Sequence, residues 1–394
     1  MIAIMKEQFG STSTFSDNLF AKAPIREELL NLLEKLCRIP APSGYEDRRA
    51  AFITDWLQKE ARIPSSTDSA KNVLVFFGPR AAGGKKLTLL TAHTDTVFPD
   101  MEPMPLVRDE HRISCPGVGD NTACVAILML YLKYRKGELE ASPVPLLFAF
   151  NTCEEGLGNL KGIRRLLEDY AEQIREVTAF DGGVKGICNQ AVGSLRYQVT
   201  IRTRGGHSFN DFGNASAVEA MTDLIQRIYR LPVPDNGKNT YNVGTIQGGT
   251  SVNSIPQSCT CLLEYRSDCR ESLSIMKENF RQMVQRFQQQ RSGIHLEMSL
   301  IGERPCSGKV DPAALSSLTR RASASIKAIA GTTPTIGSGS TDCNIPLSLG
   351  IPAICFGGLL GDGVHTREEY VQIPAFLTEA AVIDDYLGRT IFHP

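Results

Sequence analysis

The chain has 394 residues, a formal net charge of −1, and 42% hydrophobic and 22% charged residues. Those are ordinary values for a globular protein too long for one core, so two domains are expected. The near-zero charge, without a long basic run, argues against nucleic acid or an anionic membrane as a partner. The longest apolar run, 125–132, is far short of a bilayer span, and the apolar run within 1–6 is too short for a signal peptide.

In chain order, residues 1–23 are polar and rich in Ser and Thr, and are predicted to be loosely held. Leu29, Leu32, Leu33 and Leu36 then repeat at helical spacing, predicting an amphipathic helix over 26–36. Three short apolar runs follow, 87–90, 146–150 and 177–180, each leading at once into acids or an imidazole. Near-continuous apolar runs fit strands buried on both faces of a mostly parallel sheet. In such sheets the chemistry sits beyond the carboxyl ends of the strands. From Leu195 the pattern changes: Leu195, Tyr197, Val199 and Ile201 alternate with polar residues, as in a strand with one wet face. A helix from Ala217 to Ile228, strands over 240–246 and 258–266, a helix over 273–287 and a strand over 294–301 complete a βαββαβ, ferredoxin-like order. A helix over 311–330 and a buried strand over 352–356 follow. The predicted architecture is α/β, a mixed sheet flanked by helices (1–193 and 304–394) with the βαββαβ unit (194–303) inserted. Eleven scattered cysteines, an odd number without CxxC spacing, read as reduced thiols of a cytoplasmic protein. Cys259 and Cys261, alternating along a strand, do not form a CxxC chelate.

The chemistry is concentrated in the segments His93-Thr94-Asp95, Gly119-Asp120-Asn121, Glu154-Glu155, Asp181-Gly182-Gly183 and Gly363-Val364-His365. Two divalent metal ions need carboxylates and neutral imidazoles, plus one carboxylate serving as a base, and these segments supply them all. That set points to hydrolysis. His93 and Asp95, two apart at a strand end, project to the same side, so Asp95 reads better as the carboxylate orienting His93 than as a ligand. Asp120 precedes an apolar helix starting near Thr122, and Asn121 is the stronger candidate for its plain cap. Glu154 and Glu155 diverge as neighbours, so one can bind metal while the other faces the attacking water. His111, His295 and His393 lack an acidic or glycine-rich setting and are expected to have no role.

These motifs, in this order, resemble the M20 family of dizinc peptidases and deacylases, over about residues 25–390. The resemblance implies a zinc-exopeptidase-like fold with a lid and dimerisation domain. It implies Asp120 as the bridge between two metals, with His93 and Asp181 completing one site and Glu155 and His365 the other. Glu154 would be the general base, Asp95 the supporting carboxylate, and the Asp120–Asn121 peptide cis. Gly205-Gly206-His207-Ser208 matches the family's lid histidine, which binds the developing oxyanion, often from the partner subunit of a dimer. Asn253, in Val252-Asn253-Ser254-Ile255-Pro256, and Arg266 match substrate-binding positions. A guanidinium suits a substrate carboxylate. Gly339-Ser340-Thr341-Asp342 departs from the family's Gly-Gly-Thr-Asp by Ser340.

The expected protein is thus a dizinc-dependent hydrolase of amide bonds, an exopeptidase on small peptides that forms a homodimer through the lid. An N-acyl-amino-acid amidohydrolase is the nearest alternative. A non-catalytic binding protein on the same fold is a remote one, since no ligand and no base is missing. Cobalt or manganese can replace zinc in such a donor set.

Overall fold

The computed structural model describes residues 18–79, 86–357 and 361–392. Most of the segment expected to be loosely held, 1–17, and His393 lie outside the described residues. The chain divides into two compact units. One contains the described residues up to Asn189, then Asp311–Gly337, then those from Ile351 onward. The other contains Gln190–Val310 and Ser338–Gly350. The expected second part of the catalytic domain ran unbroken from 304; in the structure, 304–310 and Ser338–Gly350 cluster with the other unit. Asn344 accounts for part of this, its side-chain amide donating to the carbonyls of Val192 and Pro305 at 2.8 and 2.9 Å.

In the first unit the strands are β1 (Ser66–Thr67), β2 (Val73–Phe77), β3 (Leu87–His93), β4 (Leu146–Asn151), β5 (Ile174–Phe180), β6 (Gly183–Ala191), β7 (Thr335–Gly339) and β8 (Ala353–Gly357). They form one mixed sheet in the order β1-β2-β4-β3-β5-β8-β6-β7. The central strands β4, β3, β5 and β8 are mutually parallel, with His93 beside Asn151 and Phe356 beside Phe180. Every residue of β3, β4 and β8 is buried, which explains why these runs read as continuously apolar. The helix Ala123–Glu140 is buried all round over its first ten residues, Ala123 to Leu132, the mark of a core helix. Helix Ala23–Cys37 begins with a proline in its first turn and buries the predicted leucines. A small antiparallel sheet orders Gly361–Asp362, Tyr370–Gln372, Arg112–Ser114 and Val107–Arg108. It sets the 361–372 segment beside the strand that leads toward Asp120.

The second unit is a four-stranded antiparallel sheet, ordered Asn239–Gly248, Ser258–Ser267, Gly193–Thr203, Ile294–Arg304, with helices Ala217–Ile228 and Arg270–Gln290. In sequence order this is strand 2-3-1-4, the ferredoxin-like arrangement. Ser258–Ser267 buries alternate residues, and Cys259 and Cys261 join Leu263 and Tyr265 in the core with Met221, Leu224 and Phe280. No helix among the described residues is long and apolar enough to cross a membrane.

Candidate metal centre

Because β3, β4, β5 and β8 run parallel, the segments that follow them emerge at one edge of the sheet. His93 is the last residue of β3, Glu154 and Glu155 follow β4, and Asp181 follows β5. His93 Nε2 is 3.1 Å from Asp120 Oδ1 and 3.8 Å from Asp181 Oδ2. His365 Nε2 is 3.1 Å from both Asp120 Oδ2 and Glu155 Oε1. The two oxygens of Asp120 therefore face two different imidazoles. Donor atoms of His93, Asp120 and Asp181 lie within 4.8 Å of one another, as do those of Asp120, Glu155 and His365. A third group of the same size joins His93 to Glu154 and Glu155.

The pKa shifts run in the direction that crowded, buried acids produce. Burial and the neighbouring Asp120 charge push the Asp181 carboxyl well up. Burial is also the main cause that pushes Glu155 up to about 7, against the pull of His365. Burial disfavours a charged His93, yet hydrogen bonds to Asp120 and Asp95 raise its pKa. Asp120 and then Glu155 lift His365 to about 10. Both imidazoles and two of the acids are thus shifted toward their protonated forms, so that protons balance the charge of the crowded acids. Carboxylates and imidazoles in three-donor sets sharing one bridging acid fit a pair of divalent metal ions, whose binding would release those protons.

The sequence profile of peptidase family M20/M25/M40 matches residues 89–389, spanning all of these segments. The chain belongs to this family. That membership makes it a metal-dependent hydrolase of amide bonds. Among M20 relatives, a probable carboxypeptidase of Aspergillus clavatus is 27% identical over 250 residues, covering 58% of this chain and 55% of that protein. The chain thus spans about half the length of that relative. A putative succinyl-diaminopimelate desuccinylase of Mycobacterium tuberculosis is 22% identical over 373 residues, covering 92% of this chain and 99% of that one. Among solved structures, a tripeptidase from Staphylococcus aureus superposes with a TM-score of 0.72 at 19% identity, covering 94% of this chain and 99% of that one, and shares the fold.

The segments of the M20 site are held together by Asp95, which the sequence reading singled out, and by Glu46 and Arg49, which it did not find. Asp95 Oδ1 accepts the Glu154 N–H at 2.9 Å, and Asp95 Oδ2 accepts the Glu155 N–H at 2.9 Å and the Ser43 hydroxyl at 2.6 Å. Its Oδ1 also stands 3.5 Å from His93 Nδ1. With its own carbonyl 3.2 Å from the same His93 nitrogen, Asp95 stands against that imidazole and fixes the backbone of both glutamates. Glu46 accepts the N–H groups of Gly44 and Cys153 at 2.8 and 3.0 Å. It holds the chain just before Glu154, where Cys153 takes a positive φ of 57°. Arg49 is buried and donates to the carbonyls of Thr94, Leu36 and Ile39 and to the Thr122 hydroxyl. It ties the His93–Asp95 and Asp120–Thr122 segments to the end of the first helix. Their surroundings, Tyr45-Glu46-Asp47-Arg48-Arg49, are polar and carry no periodicity that separates buried Arg49 from exposed Arg48.

One expectation needs correcting. Asn121 is not the cap of the following helix; its side-chain amide donates to the Phe180 carbonyl at 2.7 Å, linking the Asp120 loop to the end of β5. The helix starts from Thr122 without a side-chain cap, because Thr122 instead donates to the Gly117 carbonyl at 2.6 Å. The Asp120–Asn121 peptide is cis, as the family resemblance implies.

In the second unit, His207 pairs with Ser254 across a short antiparallel bridge, and Ser208 N donates to the Asn253 carbonyl at 3.0 Å. His207 Nδ1 accepts the N–H groups of Phe209 and Asn210 at 3.3 and 3.4 Å. An imidazole nitrogen that accepts two N–H bonds carries no proton, so in neutral His207 the proton sits on Nε2, leaving a donor at the ring's far side. Arg266 is near the end of Ser258–Ser267, its Nε donating to Glu264 at 3.0 Å.

Proposed function

We propose that the protein is an exopeptidase of small peptides that works with two zinc ions. The observation carrying this reading is the division of Asp120, with each oxygen 3.1 Å from a different imidazole and each imidazole joined by a second carboxylate. His93 and Asp181 would hold one zinc, Glu155 and His365 the other, and Asp120 both. Bound there, the ion pair supplies Lewis acidity toward the scissile carbonyl and lowers the pKa of a water molecule. Glu154, buried beside its metal-binding neighbour, takes the proton from the attacking water and delivers it to the leaving amine. His207 donates through Nε2 to the developing oxyanion, a contribution of about 3–4 kcal/mol in comparable sites. Asn253 and Arg266 contact the substrate, the guanidinium pairing with its carboxylate.

An N-acyl-amino-acid deacylase is the second reading, favoured by the near full-length match to a putative desuccinylase. A panel of di- and tripeptides and N-acyl amino acids, assayed with zinc, cobalt and manganese, separates the two. Fastest turnover is expected on short peptides with zinc. Turnover confined to N-acyl amino acids would establish the deacylase, and turnover of neither would sink both readings.

A cytoplasmic setting is supported by the eleven cysteines, which the structure holds as thiols. A homodimer through the lid is supported by the exposed edge strand Asn239–Gly248, whose open ladder can pair with another chain. In that dimer His207 acts at the metals of the partner. Mixing inactive His207→Ala and Glu154→Gln subunits is then expected to restore some activity, because one hybrid site holds both intact residues. No recovery, with subunit exchange verified, would remove His207 from the partner's site.

A further inference from the structure

We propose that Glu369 is a positioning residue of the metal centre, whose carboxylate holds the backbone carrying the bridging Asp120 and so sets metal affinity and turnover. The inference rests on the metal-centre reading above and extends it to a residue outside the ligand set. Glu369 is 1% exposed. Its Oε2 accepts the Gly117 N–H at 2.7 Å, and its Oε1 accepts those of Gly119 and Asp120 at 2.8 and 3.0 Å. Three backbone donors thus converge on one buried carboxylate. Only an ionised acid offers acceptor sites on both oxygens without presenting a competing donor, and charge-assisted bonds of this kind are the stronger ones.

The loop cannot easily take this shape unaided. Gly117 has φ +74°, and a Cβ there would meet Thr96 Cγ2 at 2.5 Å, so the chain passes close behind the His93–Thr96 segment. A tight turn of this kind points successive N–H groups to one side, where they need an acceptor. Water cannot supply it at this depth, and Glu369 does.

Glu369 is itself well anchored. Its carbonyl accepts the Cys115 N–H at 3.0 Å, and the next residues, Tyr370–Gln372, pair with Arg112–Ser114. Four residues earlier, His365 reaches Asp120 Oδ2. One short segment therefore grips the bridging aspartate twice, by its side chain through His365 and by its backbone through Glu369. Displacement of the loop would shift Oδ1 and Oδ2 relative to both imidazoles at once, and metal geometry tolerates little displacement.

Glu369→Gln retains length but replaces one acceptor oxygen with an NH2 that opposes a backbone N–H. The metal-free variant is expected to melt below wild type, because a buried N–H loses its acceptor, yet to stay folded at the assay temperature. Its zinc dissociation constant, measured by competition with a chromophoric chelator, should rise about 10–100-fold, as with residues that support ligands from behind. At saturating zinc, kcat should fall while KM stays near wild type, and amide exchange at Gly117 and Gly119 should quicken in the metal-free protein. Glu369→Asp, which keeps the charge but withdraws it by one carbon, should fall between, and carries the same readouts if the Gln variant does not fold. Wild-type zinc affinity, kcat and amide exchange would overturn the proposal. So would a lowered melting temperature with unchanged affinity and kcat in the folded protein, which would leave Glu369 a merely structural part. Wild-type protein that binds no metal would sink the metal-centre reading as well. Wild-type protein with two metals, beside a Gln variant that binds them equally well, would sink this proposal alone.

Discussion

Glu154→Gln is expected to retain both metals and lose at least about a hundredfold in kcat, the lower end for removal of a general base. Glutamine keeps the size and hydrogen-bonding shape of the side chain but accepts no proton at neutral pH. The metals should stay because the inferred ligands are His93, Asp120, Glu155, Asp181 and His365. The Glu154 backbone should stay because its N–H, bonded to Asp95 at 2.9 Å, is untouched. Elemental analysis beside turnover on the best peptide checks both halves. A variant that holds its metals and stays active would show that the base is elsewhere. A variant that loses metal would make Glu154 a ligand, and its membership of the His93–Glu154–Glu155 donor group makes that a real alternative outcome.

Asp120→Ala is expected to empty or scramble both positions, since each imidazole of the pair is partnered by one oxygen of this carboxylate. It also removes a negative charge that raises the pKa of both Asp181 and Glu155, so those acids should ionise more readily and the loss of metal cannot be laid to their protonation. Asp95→Ala should be milder, weakening metal affinity about 10–100-fold, as for carboxylates that orient a ligand histidine. Isothermal titration of metal-free protein separates the cases. Equal losses from the two substitutions would contradict the division between bridge and support.

How much was legible in the chain depended on whether a residue announced itself locally. His93, Glu154, Glu155 and Asp181 each followed a continuous apolar run, and the runs were continuous because parallel central strands are buried on both faces. The alternation from Leu195 to Thr203 and the helical repeat from Ala217 to Ile228 located the second unit for the converse reason, a sheet with one buried face. Glu46, Arg49 and Glu369 gave no such sign. Their partners are backbone groups of distant segments, which leave no mark on neighbouring residue types. The spacing of Glu369 four residues after His365 was the one available hint. Asn121 was misread because an Asn before a helix is so often a cap, and here a carbonyl at the end of β5 competes for it. The boundary at Ser338–Gly350 was invisible because long-range hydrogen bonds, among them those from Asn344 to Val192 and Pro305, leave no mark on composition.

The place of β8 in the sheet has a consequence for the order in which the protein can be made. Ala353–Gly357 lies between β5 and β6, strands synthesised long before it, and pairs parallel with β5 over Ala353 to Phe356. A ribosome must therefore release the whole of the second unit before the first can close its sheet. Until then β5 and β6 have a missing neighbour, and the nascent chain lacks both His365 and Glu369. Long-range parallel pairing of this kind is slow to form and leaves strand edges open meanwhile. On the proposed ligand set, metal capture would need residues from both sides of that gap, and the ions would act as a latch on a finished chain rather than as a template for a growing one.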